Sequence, residues 1–321
     1  MFKNQDADEP LRLKLFVPPT FEGVTSVAVI EEILKKDIAL ETVFTNTIDF
    51  REHEKFKDAD MILVLGLAYR GYTLPTEFFI NADVPFVDFV HISTYGEEIQ
   101  GKHIISLVDE NQDPIKVLYE TMKNMASSLN LSKYVELSDK AMYMVEAVNS
   151  YRTWTWEGNN TTRMLLALYH ASYKRLPNLL RGLSLQEVVQ AHAPVIKGQL
   201  EKLEDYIERK SLMVQSRQVT IDGQECILKL VYAEEYINEL ANDILHQEDI
   251  AIPVIVCIGR ATKSNDIFSV RTKGISAGRV AEVINGGGGK ENVATFFAPI
   301  GYATLMANAI VANIQENTGS L

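Results

Sequence analysis

Four consecutive glycines, Gly286–Gly289, constrain the fold of the C-terminal part of the chain more than any other feature. Without Cβ atoms, the backbone can adopt positive φ angles and pass close to another group. The N–H groups of such a bend can converge on an anion, so a glycine-rich turn is able to hold a phosphate. An arginine that precedes the turn, Arg271, would add two parallel hydrogen bonds to the same phosphate. The alternative interpretation is a flexible surface loop.

The sequence around the glycines favours an ordered unit over a flexible loop. A predicted strand, Ile267–Arg271, is followed by a predicted helix, Ser276–Ile284, and the glycines then lead into an apolar run, Val293–Phe297. Regular elements on both sides fix the ends of the turn. The glycines are therefore expected to form part of a small α/β domain.

In the first half of the chain, short apolar runs alternate with helical patterns. This alternation is typical of βαβ units around a parallel sheet. Ser26 is predicted to cap the first helix, because serine is a preferred N-cap residue. The predicted strands are Leu11–Val17, Glu41–Thr45, Met61–Leu67, Val84–Val87 and Ile104–Leu107.

With 321 residues, the chain is long enough for two domains that each bury a core. We predict an α/β protein with an N-terminal parallel-sheet domain at residues 1–190 and a helical connector at 191–211. A smaller α/β domain is predicted at 212–321. This second domain is expected to open with a β-hairpin whose turn is Asp222–Gly223, since Asp-Gly favours a two-residue turn.

The charge of the chain limits its partners. Forty-three acidic against 31 basic residues give 43 − 31 = 12 net negative charges. Duplex binding depends on the neutralisation of many phosphates, so a long nucleic-acid duplex is not an expected partner. A mononucleotide or a short oligonucleotide in a local basic pocket remains compatible with this charge.

The chain also shows no sign of secretion or membrane insertion. Its first ten residues are polar and acidic, and no apolar run approaches the twenty or so residues of a membrane span. The two cysteines, Cys226 and Cys257, lack metal-binding spacing and are predicted to be buried free thiols. These features predict a cytoplasmic protein without a membrane partner.

Four segments of the C-terminal domain together resemble a known family. These are Phe268–Arg271, Val280–Ala281, Gly286–Gly289 and Ala294–Phe297, and they resemble the DHHA1 substrate-binding domain of the DHH phosphoesterases. A histidine follows the glycines in that family, whereas Lys290 follows them here; lysine keeps the positive charge with a different geometry. The resemblance implies that the phosphate or base end of a nucleotide is held by Arg271, Gly286, Gly287, Gly288, Gly289 and Lys290.

The N-terminal half resembles the DHH domain in its frame but not in its metal ligands. The segment Leu15–Ser26 has the spacing of the family signature H-x-x-P-D-x-D-G-x-x-S. Phe16 stands at the histidine position and Thr20 at the first aspartate position. Glu22 stands at the second aspartate position and keeps a carboxylate. The next carboxylate of the family, at the end of a strand, corresponds to Gly66.

The triplet that names the family is also altered. Asp88 matches its aspartate, but Phe89 and Val90 replace the two histidines. His91 lies one residue late, and in an extended segment such a shift turns the side chain to the opposite face. A later family aspartate corresponds to Arg152, which would neutralise a phosphate rather than hold a metal ion.

These replacements decide the chemistry that we predict. A two-manganese hydrolytic centre needs several carboxylates and imidazoles to hold both ions and generate hydroxide. Only Glu22, Asp88 and His91 remain as metal ligands. We therefore predict a pseudoenzyme-like protein that binds a nucleotide, a cyclic dinucleotide or a short oligonucleotide in a cleft between the two domains. The two-manganese centre is expected to be lost.

Two other interpretations of the function stay open, and so does the oligomeric state. The chain could be an active manganese-dependent phosphodiesterase or oligoribonuclease with non-standard ligands. It could also be an interaction protein with an empty cleft. A homodimer is a further possibility. The non-standard ligands would come from the following set: Asp83, Asp88, His91, His103 and Asp109.

Overall fold

The computed structural model divides the chain into two compact units, Met1–Leu200 and Glu201–Leu321. The division falls inside one long helix, Leu185–Ser211. The structure describes residues 10–35, 37–48, 56, 58–68, 88–96, 98–99, 104–125, 134–247, 251–301 and 310–315.

The first unit is built on a five-stranded parallel sheet with the order β2-β1-β3-β4-β5. The predicted α/β class and parallel sheet are thus confirmed. The predicted strand Val84–Val87 lies outside the described residues, and the fourth strand of the sheet begins at Asp88. The strands are β1 (Leu11–Val17), β2 (Ile38–Phe44), β3 (Met61–Leu65), β4 (Asp88–Ser93) and β5 (Ile104–Val108).

Both faces of this sheet are covered, which explains why its middle strand, β3, is apolar throughout. On one face, Phe16 and Phe89 pack in a buried cluster with Phe56. On the other face, helices of the same unit pack against β1 and β4. The helices are α1 (Phe21–Ile33), α2 (Pro114–Met125), α3 (Asp139–Arg152), α4 (Asn160–Ser172) and α5 (Leu176–Leu180), with a 3₁₀ turn at Tyr173–Arg175.

Helix α1 begins five residues before the predicted cap. Thr20 is its N-cap, with an extended backbone and a side-chain oxygen that accepts a hydrogen bond from the Gly23 N–H at 3.3 Å. Ser26 lies inside the helix, where its hydroxyl donates to the Glu22 carbonyl at 2.7 Å. The prediction for Ser26 was therefore wrong, because a threonine with the required backbone conformation precedes it.

The long helix α6 (Leu185–Ser211) contains the whole of the predicted connector, residues 191–211. It begins with a capping box in which the Ser184 N–H donates to Glu187 at 2.7 Å and the Glu187 N–H donates to Ser184 at 3.3 Å. No helix in the described part of the chain is long and apolar enough to cross a membrane.

The second unit contains a six-stranded mixed sheet with the order β10-β11-β9-β8-β7-β6. The turn Asp222–Gly223 joins β6 to β7, and both residues have positive φ (49° and 79°), so the predicted hairpin is confirmed. The strands are β6 (Gln215–Ile221), β7 (Gln224–Tyr232), β8 (Val254–Ala261), β9 (Asp266–Lys273), β10 (Gly288–Gly289) and β11 (Val293–Ala298).

Two helices cover different parts of this sheet. Helix α7 (Ile237–His246) packs against β8 and β9, and helix α8 (Ala277–Asn285) packs against β9, β10 and β11. The α8 side holds the main core, in which Phe268 and Phe296 stack with ring centroids 4.8 Å apart. Both cysteines are buried and free, as predicted.

Candidate functional sites

The first two glycines of the quartet end helix α8. Gly286 has a φ of +61°, the left-handed conformation that glycine adopts most readily at a helix end. Its N–H donates to the Glu282 carbonyl at 2.9 Å, and the Gly287 N–H donates to the Ala281 carbonyl at 3.0 Å. Two of the four glycine N–H groups therefore donate to carbonyls of helix α8. The four N–H groups of Gly286–Gly289 thus do not all converge on one anion.

The last two glycines form the edge strand β10, which is antiparallel to β11. A Cβ atom on Gly289 would lie 2.3 Å from the Ala294 Cα, and one on Gly287 would lie 2.6 Å from the Phe296 Cβ. A Cβ atom on Gly288 would meet no heavy atom within 4 Å. Two of these glycines thus permit close packing, whereas Gly288 borders open space.

The turn after β10 fixes the direction of the Gly289 N–H group. The Lys290 N–H donates to the Val293 carbonyl at 2.7 Å. Because hydrogen-bonded and non-hydrogen-bonded pairs alternate in an antiparallel ladder, the next pair, Gly289 and Ala294, is non-hydrogen-bonded. The Gly289 N–H therefore points away from β11, towards the outer edge of the sheet.

The same turn also occupies the N-terminus of helix α8. The Ala277 N–H donates to the Glu291 carbonyl at 2.7 Å, and the Gly278 N–H donates to the Lys290 carbonyl at 2.9 Å. These donors belong to the first turn of the helix, where an anion is often held. In this protein, backbone carbonyls take that place and anchor the turn.

Arg271 lies on β9 and is only 9% exposed. Its guanidinium donates to the Asn238 side chain on α7 at 2.7 Å and to the Val270 carbonyl at 2.9 Å. Arg271 is the cross-strand partner of Val293, and Thr295 is the partner of both Ser269 and Gly288. Cross-strand partners point to the same face of a sheet, and residues two apart on a strand do so as well. Arg271 and Gly288 therefore share one face.

In the first unit, polar residues gather at the carboxyl ends of the parallel strands, where ligands bind in many open α/β sheets. Thr20 and Glu22 follow β1. Asp109 follows β5, and its N–H donates to the Ser93 carbonyl at the end of β4 at 3.0 Å. Its carboxylate accepts from the Asn111 and Gln112 N–H groups at 2.8 and 3.2 Å, so Asp109 shapes the turn into helix α2.

Asp113 directly precedes helix α2 and is only 3% exposed. Its carboxylate accepts from the Ile115 N–H at 3.0 Å, and its own N–H donates to the Asn149 side chain at 3.0 Å. Burial and, to a smaller extent, the nearby Glu22 carboxylate raise the pKa of Asp113 to about 7, while Ile115 and Arg152 oppose the rise. Asp113 was not among the predicted site residues. Asp before Pro at a helix start signals an N-cap but carries no information about burial.

Arg152 is the last residue of helix α3, and its guanidinium donates to the Glu110 carbonyl at 2.8 Å. Its Nε atom is buried and has no hydrogen-bond partner in the described ranges. Arg152 and Glu22 both act electrostatically on Asp113. The structure therefore brings together a guanidinium and two carboxyl groups at this edge of the sheet.

His91 is 1% exposed and lies within β4. Its Nε2 atom is 2.8 Å from the Leu67 carbonyl, which can only accept, so Nε2 carries the proton. Its Nδ1 atom is 2.9 Å from the Ser106 hydroxyl, which in turn accepts from the Ile99 N–H at 2.9 Å. Burial lowers the pKa of His91 below its ordinary value, against the opposing effect of Leu67. Both ring nitrogens are thus used inside the core.

The structure places Asp88 and Asp109 at opposite ends of the sheet. Asp88 is the first residue of β4 and pairs with Met61, the first residue of β3. Asp109 follows the last residue of β5. A strand of six residues spans about 16 Å, so these two candidate ligands are not brought together. The other proposed ligands, Asp83 and His103, lie outside the described residues.

The donors in the described residues do not fit a two-metal centre. No group of three or more histidine, cysteine, aspartate or glutamate side chains in these residues is arranged to hold a metal ion. At the carboxyl edge, the fixed positive charge of Arg152 accompanies Glu22 and Asp113. A divalent ion is repelled by such a charge, and a hydrolytic centre with two ions requires more ligands than these.

No family model matches the sequence, and no curated protein matches it. Solved structures do match. A RecJ exonuclease bound to manganese is 11% identical with a TM-score of 0.54, and the match covers 97% of this chain and 92% of that one. RecJ from Thermus thermophilus in complex with Mn²⁺ is 11% identical with a TM-score of 0.59, over 95% of this chain and 52% of that one. An exopolyphosphatase-related protein from Bacteroides fragilis is 12% identical with a TM-score of 0.55, over 97% and 94%. At these identities the similarity concerns the fold, and the chain has the fold of the DHH/DHHA1 phosphoesterases.

Proposed function

We propose that this protein binds a nucleotide, a cyclic dinucleotide or a short oligonucleotide through its phosphate, and that it does not hydrolyse the ligand with two metal ions. The observation that carries the proposal is the shared sheet face of Arg271 and Gly288. One residue supplies positive charge, and the other leaves space for a ligand next to the backbone.

Arg271 supplies the specific contact with the phosphate. A guanidinium has five N–H donors in a planar fork and binds two phosphate oxygens at once. In the free protein, Asn238 and the Val270 carbonyl accept from this fork and hold it in position. A phosphate competes for these donors with a stronger, charge-assisted bond. Lys290 adds positive charge at the turn after the glycines.

The loss of hydrolysis is supported by the cluster in the first unit. Arg152 acts on Asp113 where an active relative is expected to have a carboxylate. Its positive charge favours an anion over a divalent cation. With a pKa of about 7, Asp113 is partly neutral near physiological pH, and a protonated carboxyl group is a poor ligand for a divalent cation. His91 keeps both nitrogens in the core hydrogen bonds and contributes no metal ligand.

The comparisons support the class of ligand. RecJ, which has the same fold, is an exonuclease, and the ligand class proposed here is a fragment of nucleic acid. The acidic charge of the whole chain, −12, disfavours a long duplex and leaves a short ligand in a local site.

Binding and cleavage are tested with the 5′-phosphorylated dinucleotide pApA. We expect pApA to raise the melting temperature of the protein and to remain intact when Mn²⁺ is added. Arg271→Ala should abolish the shift, and Arg271→Lys should reduce it because the bidentate contact is lost. Arg217→Ala is the matched control, since Arg217 is an exposed arginine on β6. Release of AMP that depends on Mn²⁺ would contradict the proposal and establish a manganese-dependent phosphodiesterase.

A further inference from the structure

We propose that Phe297 is a stacking platform for a nucleobase, so that the ligand is recognised by its base as well as by its phosphate. This inference rests on the proposed function and narrows it. It assigns the site to base-bearing ligands and excludes inorganic polyphosphate as the preferred ligand.

Phe297 is an exposed aromatic residue on an ordered strand. Along β11, Ala294, Phe296 and Ala298 are buried, whereas Phe297 is 54% exposed. The alternation follows from the geometry of a strand, in which successive side chains point to opposite faces. The side chain of Asn285 donates to the Phe297 carbonyl and fixes the backbone at this point. The Phe297 backbone is therefore fixed, and its side chain lies on the sheet face opposite to Phe296.

Phe297 shares its sheet face with the phosphate-binding residues. Along β11, Phe297, Thr295 and Val293 are spaced two residues apart, and Thr295 pairs with Gly288. Two residues on a strand span about 7 Å. A phosphate over Gly288 and a base over Phe297 are thus close enough to belong to one nucleotide. Arg271 lies one further step along the same face, beside Val293.

The chemistry of this face matches a nucleotide. It combines one apolar ring with the hydroxyls of Ser269 and Thr295 and the guanidinium of Arg271. Among the described elements, helix α7 packs on β8 and β9 and helix α8 packs on the Phe296 side of β11. Any nucleobase can stack on an aromatic side chain, while the phosphate of the same nucleotide contacts the positive charge of Arg271. Polyphosphate has no base, so it gains no stacking interaction with the Phe297 ring.

The test compares a ligand with bases to one without them. Affinities for pApA and for inorganic tripolyphosphate are measured by isothermal titration calorimetry on the wild type and on Phe297→Ala. Because stacking on an aromatic side chain is lost, we expect the variant to bind pApA about tenfold more weakly. Its affinity for tripolyphosphate should not change. Tyr143→Ala is the matched control, since Tyr143 is also 54% exposed but lies on α3.

A second variant keeps the test decisive if truncation of the ring disturbs the strand. Phe297→Trp retains the aromatic face, so it should bind pApA as tightly as the wild type, and pApA should quench its added fluorescence. Equal weakening of both ligands by Phe297→Ala, or of neither, overturns the inference, and unchanged binding of both ligands leaves the phosphate site intact. Failure of the wild type to bind either ligand overturns the proposed function itself. A changed oligomeric state of Phe297→Ala with unchanged pApA affinity assigns the ring to self-association, which also overturns the inference.

Discussion

The guanidinium of Arg152 interacts electrostatically with the buried carboxyl group of Asp113, and it opposes the rise in pKa that burial causes. The opposition is incomplete, because the pKa of Asp113 still reaches about 7, against an ordinary 3.8. The folded protein thus holds a carboxyl group that resists ionisation, whereas the unfolded chain ionises it freely. This difference links the stability of the fold to pH.

We expect Asp113→Asn to stabilise the protein at neutral pH. A group whose pKa is raised on folding contributes stability that is complete below its unfolded pKa and is lost as pH rises through its folded pKa. For Asp113 the loss develops between about pH 4 and pH 7 and amounts to about 4 kcal/mol, at 1.36 kcal/mol per pKa unit. Asparagine keeps the acceptor for the Ile115 N–H without ionising. Urea unfolding at several pH values should show a wild-type free energy that falls relative to the variant as pH rises.

Asp205→Asn is the control for this experiment, because Asp205 is an exposed aspartate on helix α6. It should leave the pH dependence of the wild type unchanged. Parallel curves for the wild type and Asp113→Asn would show that Asp113 ionises normally in the folded protein.

His91 should contribute to the free energy of unfolding with a pH dependence opposite to that of Asp113. Its pKa is lowered on folding, so the contribution is complete above the unfolded pKa, near 6.5, and is lost as pH falls towards the folded value. In His91→Gln the titrating group is absent, and the amide can still donate to the Leu67 carbonyl. The difference in unfolding free energy between the wild type and this variant should therefore shrink between pH 7 and pH 5.5. A difference that is constant over this range would mean that His91 protonates equally easily in both states.

Ser106 connects His91 to the Ile99 N–H, and its removal should destabilise the first unit. Ser106→Ala leaves a buried ring nitrogen and a backbone N–H without this partner. An unsatisfied buried polar group costs about 1–3 kcal/mol. Urea unfolding at pH 7.5 measures this loss, and Ser216→Ala, on the exposed part of β6, should have almost no effect. Equal stability of the two variants would contradict the two hydrogen bonds of Ser106, with His91 and with the Ile99 N–H.

The neighbouring glycines of β10 should respond differently to one added methyl group. Gly289→Ala places a Cβ atom 2.3 Å from both the Ala294 Cα and the Val293 carbonyl, so β10 must separate from β11. Such overpacking costs about 1–3 kcal/mol. Gly288→Ala meets no heavy atom within 4 Å and should leave the stability within about 0.5 kcal/mol of the wild type. On the proposed function, it should instead weaken pApA binding, because the methyl group stands on the ligand face. Thermal unfolding and calorimetry separate these effects, and a destabilised Gly288→Ala would show that this face is closed.

The different roles of these glycines show where sequence patterns stop being informative. A run of four glycines predicts a backbone without Cβ atoms, but not which glycine ends a helix, which packs against a strand and which faces open space. The conformation of Gly286 is determined by the end of α8, and the close packing of Gly289 by its pairing with Ala294. Such roles depend on pairing between segments, whereas the Asp222–Gly223 turn could be predicted because it depends on two adjacent residues.

The same limit explains the shifts in the first unit. The predicted strand Val84–Val87 lies outside the described residues, and the structure has a strand at Asp88–Ser93. Asp88 was therefore expected near a carboxyl end and lies at an amino end. Thr20 and Ser26 are both suitable N-caps by composition. The alternation of strands and helices was predictable because each apolar segment must be buried, whatever its precise ends.

On the proposed function, Arg152 stands where an active relative has a metal-binding carboxylate, and introducing a carboxylate there tests this assignment. Arg152→Asp places a third carboxylate beside Glu22 and Asp113 and removes the charge that repels cations. Hard divalent ions favour such oxygen ligands. We expect Mn²⁺ to bind this variant at least about tenfold more tightly than it binds the wild type, a difference of about 1.4 kcal/mol. Calorimetry measures the affinity, and Arg175→Asp makes the same charge change at an exposed arginine in the 3₁₀ turn. If the wild type already binds Mn²⁺ as tightly as Arg152→Asp does, Arg152 does not exclude the metal, and the hydrolytic alternative gains the support that the present donor set denies it.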